Sequence, residues 1–231
     1  ANGIMAYDPL TDAVEVLKLN NWYREPALCS NGQPGCYLSA PLPEYATDPT
    51  PLDSHPLSAL EVVPELNAAY KVNGVNSYSG DYRPLLDTTW KLDLASKTWT
   101  MVSSKESDPD YPPNNVGSPS GLVYDPGAGR LVYLVPSSCG CTGTVTHLFD
   151  PTTNRWTKVA QDASSLDVYV AGAGVTFDSK RGLVMAFGGN RYITSAATPQ
   201  LWAYSVAENK WTRLADAPVA AMAPGFAYDS R

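Results

Sequence analysis

The sequence predicts an all-β fold built from short antiparallel strands, and three observations predict it. The composition combines 20 prolines and 17 glycines with only 17% charged residues, which favours turns over long surface helices, because such helices usually need Glu, Lys and Arg. A hairpin pattern that contains Trp recurs three times, and a second hairpin pattern alternates with it. At 231 residues and 44% hydrophobic composition, the chain can bury a substantial core.

The Trp-containing pattern is the strongest internal repeat. It appears as WKLDLASKTWTMV from Trp90, HLFDPTTNRWTKV from His147 and WAYSVAENKWTRL from Trp202. Trp99, Trp156 and Trp211 lie six residues after Asp93, Asp150 and Ser205, and the Trp-to-Trp spacings are 57 and 55 residues. Each segment predicts two short strands around a tight turn, with the Trp packed between neighbouring sheets.

The second hairpin pattern begins with glycine and lacks the Trp. It reads GLVYDPGAGRLVYL from Gly121, GVTFDSKRGLVMAFGG from Gly174 and GFAYDSR from Gly225. The aligned Asp125, Asp178 and Asp229 are predicted to form turns by accepting hydrogen bonds from nearby backbone amides. One hairpin of each kind makes a four-stranded antiparallel unit, which recurs every 51 to 53 residues.

These segments resemble kelch repeats. The resemblance rests on the apolar strand that ends in Gly188 and Gly189, on the WAYSVAENKW segment downstream, and on a period of about 50 residues. It covers residues 86–231 and is weaker before them. It implies a β-propeller of four-stranded antiparallel kelch-like blades, similar to the central domain of galactose-oxidase-like proteins.

The predicted organisation is a single β-propeller domain or fragment over residues 1–231. Its parts are a terminal hairpin (1–18), a Pro-rich insertion (19–58), a degenerate blade (59–101), two blades (121–160 and 174–215) and the start of a further blade (225–231). The terminal hairpin fits either pattern, with Val14 in the place of the Trp. Because kelch propellers usually have more blades, we expect an incomplete set, completed by further blades, another copy or a partner. A four-bladed ring whose termini share one blade is the alternative.

Charge and hydropathy argue against two classes of protein. The formal net charge is −7, and Lys and Arg do not cluster as they do on phosphate-binding surfaces, so no nucleic-acid partner is expected. No apolar run approaches the roughly 18 residues of a membrane span. We expect an extracytoplasmic protein, secreted or periplasmic, whose signal peptide has been removed.

The four cysteines form two close pairs in the sequence. Cys29 and Cys36 flank the turn-rich segment SNGQPG, which a disulfide could close as a small loop. A bridge between Cys139 and Cys141 would be strained. Those two cysteines could therefore hold a labile disulfide, stay as free thiols, or pair with the N-terminal two.

The connections between hairpins predict where a ligand binds. Because strand direction alternates, the short turns share one end of each sheet and the long connections share the other. Binding groups concentrate on long loops of a rigid scaffold. The candidate residues on the long-loop side are Tyr78, Asp81, Tyr82, Arg83, Asn190, Arg191 and Tyr192. Such aromatic and hydrogen-bonding side chains would suit a peptide or a sugar.

Calcium is a weaker candidate ligand. The run ESDPDYPPNN contains Asp108 and Asp110, whose carboxylate oxygens are of the type that calcium prefers. The run has no EF-hand spacing, and its prolines favour an exposed loop. We therefore predict no metal site and no cofactor.

Catalytic motifs are not recognisable in this sequence. The kelch-like fold also occurs in copper radical oxidases, and that resemblance would require paired His and Tyr ligands with a reactive Cys. The sequence has only two histidines, His55 and His147. His147 aligns with Trp90 and Trp202, so a packing position is predicted for it. No catalytic residue is predicted.

Three functions are consistent with these patterns. The first is a non-catalytic extracytoplasmic propeller that mediates protein–protein interaction, as a subunit of a larger assembly or together with further blades of the same polypeptide. The second is a carbohydrate-binding propeller module. The third is a fragment of a kelch-fold oxidase whose active site lies outside this chain.

Overall fold

The computed structural model describes residues 4–8, 10–18, 59–72, 88–112, 121–136, 144–159, 172–191, 196–222 and 224–230. Within these ranges the chain is all-β, as predicted, and the one helical element is a 3-10 turn at Pro64–Leu66. None of the described segments forms a helix with the length and hydropathy of a membrane span.

The strands form short hairpins and three four-stranded antiparallel sheets. An N-terminal hairpin pairs β1 (Ile4–Asp8) with β2 (Ala13–Lys18). Sheet 1 contains β3 (Leu60–Val63), β4 (Ala68–Val72), β5 (Thr88–Asp93) and β6 (Thr98–Ser104). Sheet 2 contains β7 (Leu122–Asp125), β8 (Arg130–Pro136), β9 (Thr144–Asp150) and β10 (Arg155–Lys158).

Sheet 3 differs by one inserted hairpin. It begins with β11 (Ala173–Asp178) and β12 (Leu183–Gly188). A separate small hairpin of β13 (Asn190–Arg191) and β14 (Ala196–Ala197) follows, and sheet 3 then continues with β15 (Leu201–Ser205) and β16 (Lys210–Arg213). In all three sheets the strands lie side by side in chain order, so each sheet consists of two successive hairpins.

One turn geometry closes the N-terminal hairpin and both hairpins of every sheet. The residue four positions after the last strand residue is left-handed, with φ between 45° and 68° in Asp12, Asn67, Lys97, Gly129, Asn154, Gly182 and Asn209. Most of these residues are Gly or Asn, which adopt this conformation at least cost. The shared geometry explains why the turn segments align so closely in the sequence.

The Asp residues that precede four of these turns share one structural role. Asp93, Asp125, Asp150 and Asp178 begin four of the turns, and each carboxylate accepts a hydrogen bond from an amide two or three residues later. Such bonds satisfy amides that the strands leave unpaired. The predicted turn role of Asp125 and Asp178 is confirmed.

Sheet 1 is complete although its sequence is degenerate. Val63 stands where the other first hairpins have Asp, so no carboxylate caps this turn. Asn67 supplies the left-handed residue instead, and its N–H donates to the carbonyl of Pro64 at 3.0 Å. The turn geometry therefore survives the loss of the Asp.

Apolar side chains fill two seams between the sheets. The seam between sheets 1 and 2 includes Val63, Tyr70, Leu131, Phe149 and Trp156. The seam between sheets 2 and 3 includes Val132, Leu134, Val184, Tyr204 and Trp211. The first strands of the sheets lie next to one another, β3 beside β7 and β7 beside β11, so the three sheets stack face to face in chain order.

The repeated Trp residues lie in these seams. Trp156 is 3% exposed, and its indole N–H donates to the hydroxyl of Thr89 in sheet 1 at 3.0 Å. Trp211 is equally buried and donates to Thr146 in sheet 2 at 3.4 Å. Thr89 and Thr146 occupy the same repeat position. Each Trp therefore joins its own sheet to the preceding one through the same bond.

Trp99 is the exception. It is buried, yet its indole N–H has no acceptor among the described residues. In the repeat alignment the position of Thr89 and Thr146 falls on Ile4, which has no hydroxyl. The nearby hairpin β1–β2 contacts sheet 1 through an ion pair between Glu15 and Lys97, with 2.5 Å between the carboxylate and the ammonium. This pair locates the terminal hairpin beside the second hairpin of sheet 1.

The segment 224–230 covers the opposite side of sheet 3. The ring of Phe226 lies 5.6 Å from that of Phe187, and the N–H of Tyr228 donates to the hydroxyl of Thr176 at 3.2 Å. The segment thus lies against β11 as β11 lies against β7.

Replacing Trp156 by Ala removes the largest side chain of the seam between sheets 1 and 2. We expect the free energy of unfolding to fall by about 3–5 kcal/mol, because the substitution leaves a large cavity and removes the indole hydrogen bond to Thr89. A urea titration measures this loss. A decrease below about 1 kcal/mol would contradict the packing role.

Candidate functional site

Two of the predicted binding residues lie in the described structure. Asn190 and Arg191 form β13, directly after the paired glycines that end β12. The other candidates, Tyr78, Asp81, Tyr82, Arg83 and Tyr192, lie outside the described residues, as do Cys29, Cys36, Cys139 and Cys141. The candidate site is therefore the surface around β13.

The backbone around β13 is held by a set of hydrogen bonds. The N–H of Gly189 donates to the carbonyl of Ala221 at 3.0 Å, and the N–H of Thr198 donates to the carbonyl of Gly189 at 3.0 Å. The N–H of Ala221 closes the set by donating to the carbonyl of Thr198 at 3.3 Å. We name residues 188–191, 196–200 and 213–222 the Gly188 corner.

The two glycines are required by this arrangement. Gly188 and Gly189 have φ of 72° and 90°, which other residues adopt only with strain. A Cβ on Gly188 would also lie 2.5 Å from the carbonyl oxygen of Ala221. The paired glycines therefore allow the backbone of residues 217–222 to pack closely against the end of β12, which is a structural role.

Further contacts fix the rest of the corner to sheet 3. The N–H of Leu214 donates to Leu201, and that of Ala217 donates to Pro199, both at 2.9 Å. The guanidinium of Arg213 pairs with Asp216 at 2.7 Å and lies over the ring of Trp202 at 5.9 Å. The backbone of the corner is thus tied at several points to rigid strands.

This corner exposes apolar side chains. Val219 is 61% exposed, Met222 is 56% exposed and Leu214 is 37% exposed. All three lie within nine residues of the chain, next to the hairpin that carries Asn190 and Arg191. Exposed apolar groups on a rigid backbone gain from burial against a ligand and lose little conformational freedom on binding.

The described corner contains one ion pair. Asp216 is the one carboxylate among its described residues, and it is ion-paired with Arg213. Beside this ion pair, the described corner presents apolar side chains and backbone groups.

The calcium candidate Asp108 has a different role. Its carboxylate is buried and accepts the backbone N–H of Trp156 at 2.7 Å and the N–H of Asp110 at 3.2 Å. The hydroxyl of Ser103 lies 3.4 Å from the same carboxylate. Within the described ranges no three carboxylate, Cys or His side chains gather as a metal would require. Through these contacts Asp108, one of the two weak calcium candidates, joins sheets 1 and 2.

Glu61 is a residue that the sequence did not single out. It lies on β3, half-buried against sheet 2, and burial raises the pKa of its carboxyl to about 7, although a hydrogen bond from the backbone of Tyr124 opposes that shift. In the repeat alignment, Glu61 occupies the position of Val123 and Thr176, which lie in the first strands of sheets 2 and 3. A charged residue at this position is the sequence feature that could have indicated Glu61.

His147 is packed, as its alignment with Trp90 and Trp202 predicted. It is 1% exposed and makes an edge-to-face contact with Trp156, with 6.5 Å between the two ring centroids. Burial, and then the nearby charge of Lys158, lowers the pKa of His147 to about 4. The imidazole is therefore neutral at physiological pH.

No protein-family model matches this sequence, and the search of curated proteins found no match either.

Gly188→Ala is expected to lower the free energy of unfolding by about 2 kcal/mol or more, because the new Cβ meets the Ala221 carbonyl in a left-handed backbone. The matched control is Gly225→Ala, since a Cβ on Gly225 meets no atom within 4 Å. Thermal unfolding of both variants tests the structural role. Equal stability of the two variants would contradict it.

Glu61 and His147 have opposite effects on stability as the pH changes. The pKa of Glu61 is raised in the fold, so its contribution is present at low pH and is lost as the pH rises towards 7. The pKa of His147 is lowered in the fold, so its contribution is present above about 6.5 and is lost as the pH falls towards 4. In the unaltered chain the two effects partly cancel.

Single substitutions should separate these effects. On acidification from pH 7 to pH 5, we expect the free energy of unfolding of Glu61→Gln to fall by about 1–2 kcal/mol, because only the effect of His147 remains. That of His147→Phe should rise by a similar amount, because only the effect of Glu61 remains. Urea titrations at several pH values measure the slopes. Parallel slopes for the two variants would contradict the assigned environments.

Proposed function

We propose that this chain is a kelch-like β-propeller segment that binds another protein through the Gly188 corner and has no catalytic activity of its own. The observation that carries the proposal is the exposure of Val219 and Met222 on a backbone that hydrogen bonds fix to sheet 3. The even number of cysteines supports an extracytoplasmic location.

Repeated contacts between the sheets support the propeller architecture. Propeller blades are four-stranded antiparallel sheets that stack around an axis with their first strands innermost. Here three such sheets stack in chain order, with β3, β7 and β11 adjacent, and the same Trp-to-Thr bond spans both seams. The paired glycines and the repeated Trp are the features that resemble kelch repeats.

Exposed apolar side chains support a protein partner. Complete burial of one Val or Met side chain contributes about 1.5–3 kcal/mol. Methionine adapts its shape to irregular surfaces, and apolar exposure on a fixed loop is typical of interaction sites. The backbone of the neighbouring hairpin, in which Asn190 pairs with Ala197, lies beside the same surface.

Selection from a peptide library, followed by calorimetry, tests the proposal. We expect the chain to select peptides with apolar anchors, and the double variant Val219→Asp/Met222→Asp to bind them at least tenfold more weakly. Leu10→Asp is the matched control, because Leu10 is 93% exposed and lies in the distant β1–β2 turn. Its affinity should equal that of the unaltered chain.

Two results would count against this function. Peptides that bind the double variant and the unaltered chain equally well would place the interaction elsewhere. Binding on a glycan array, with no peptide selected, would favour the carbohydrate-binding alternative.

A further inference from the structure

The first strands of the sheets contact one another through a repeated arrangement. Four segments align position by position: 59–63, 121–125, 174–178 and 225–229. The second residue of each segment faces the preceding sheet, and the third faces the following one. Leu122 accordingly packs in the seam with sheet 1, and Val123 packs in the seam with sheet 3.

Close contact occurs between the first position of one segment and the second position of the next. A Cβ on Gly174 would lie 2.6 Å from the Cβ of Phe226, so Phe226 fills the space that this glycine leaves. The third position adds a polar contact, because the hydroxyl of Thr176 accepts the N–H of Tyr228 at 3.2 Å. Glu61 accepts the N–H of Tyr124 in the equivalent way.

Two surfaces of this kind lie exposed in the described structure. On segment 59–63, the side that faces away from sheet 2 carries Leu60 and Val62, which are 41% and 46% exposed. On segment 225–229, the side that faces away from sheet 3 carries Gly225 and Ala227, both exposed. Apart from its two chain neighbours, no described residue places an atom within 4 Å of the Cβ position of Gly225.

These two surfaces are complementary in the same way as Gly174 and Phe226, where the first position of one segment meets the second position of the next. Leu60 holds the position of Phe226, and Gly225 holds the position of Gly174. Leu60 of one molecule can therefore fill the space at Gly225 of another, with Val62 against Ala227. Small residues opposite branched ones allow the two backbones to approach closely.

We propose that segment 59–63 of one molecule packs against segment 225–229 of a second copy, so that the chains associate head to tail. The occupant is a second copy because the contact continues the interface that already joins sheet 1 to sheet 2 and sheet 3 to segment 224–230. A contact of this type is heterologous, which means that each molecule uses two different surfaces. Neither surface includes a residue of the Gly188 corner.

Sedimentation velocity on the purified chain and two variants tests the proposal. Leu60→Asp places a charge on one surface, and Gly225→Leu fills the space on the other. Neither change enters the described core, because Leu60 is 41% exposed and Gly225 has open space around its Cβ position. Thermal unfolding verifies that both variants fold, and Leu10→Asp serves as an exposed control.

We expect the unaltered chain and Leu10→Asp to self-associate between about 1 and about 100 μM. Each interface variant alone should associate at least tenfold more weakly. An equimolar mixture of the two variants should form a one-to-one dimer, because the mixture retains one intact pair of surfaces. This recovery on mixing distinguishes a head-to-tail contact from any symmetric one.

Three results would overturn the proposal. The unaltered chain could stay monomeric at the highest concentration. Leu60→Asp or Gly225→Leu could associate as strongly as the unaltered chain. Finally, the mixture could fail to form the one-to-one dimer although both variants are folded.

Discussion

The stacking of sheets 1, 2 and 3 depends on the Trp indoles of Trp156 and Trp211, which lie between neighbouring sheets. Trp156 contributes apolar area to the seam, donates its indole N–H to Thr89, and has its backbone N–H held by the buried carboxylate of Asp108. Both Thr89 and Asp108 belong to the segment of sheet 1, so a single residue of sheet 2 fixes the distance and the register of the two sheets. Directional bonds inside an apolar seam are stronger than the same bonds in water.

This repeated seam determines where binding groups can lie. The seams hold the sheets in one stack, and because strand direction alternates, the described short turns share one end of each sheet. The Gly188 corner lies on that stack. Its glycines allow the Ala221 carbonyl to approach β12, and the guanidinium of Arg213 lies over the ring of Trp202. Exposed Val219 and Met222 are therefore displayed on a fixed surface, which is the physical basis of the proposed protein binding.

Much of the fold could be predicted from the sequence because turns and seams depend on local signals. Asp178 caps its own turn and Asn154 adopts the left-handed backbone, so these residues can be recognised without their neighbours. Glu61 and Asp108 could not be assigned in the same way. Their partners Tyr124 and Trp156 are distant in sequence, and the burial that sets the pKa of Glu61 comes from sheet 2. The sequence named Asn190 and Arg191 of the Gly188 corner but not its apolar residues, because the exposure of Val219 depends on long-range hydrogen bonds.

A double-mutant cycle between Trp156 and Thr89 measures whether the indole hydrogen bond joins sheets 1 and 2. The free energy of unfolding is measured for Trp156→Phe, Thr89→Val and the double variant by urea titration. If the indole bond joins sheets 1 and 2, the two changes couple by about 0.5–1.5 kcal/mol, because either one alone already removes the bond. Effects that add within about 0.3 kcal/mol would show that the indole contributes packing alone, and would contradict the account.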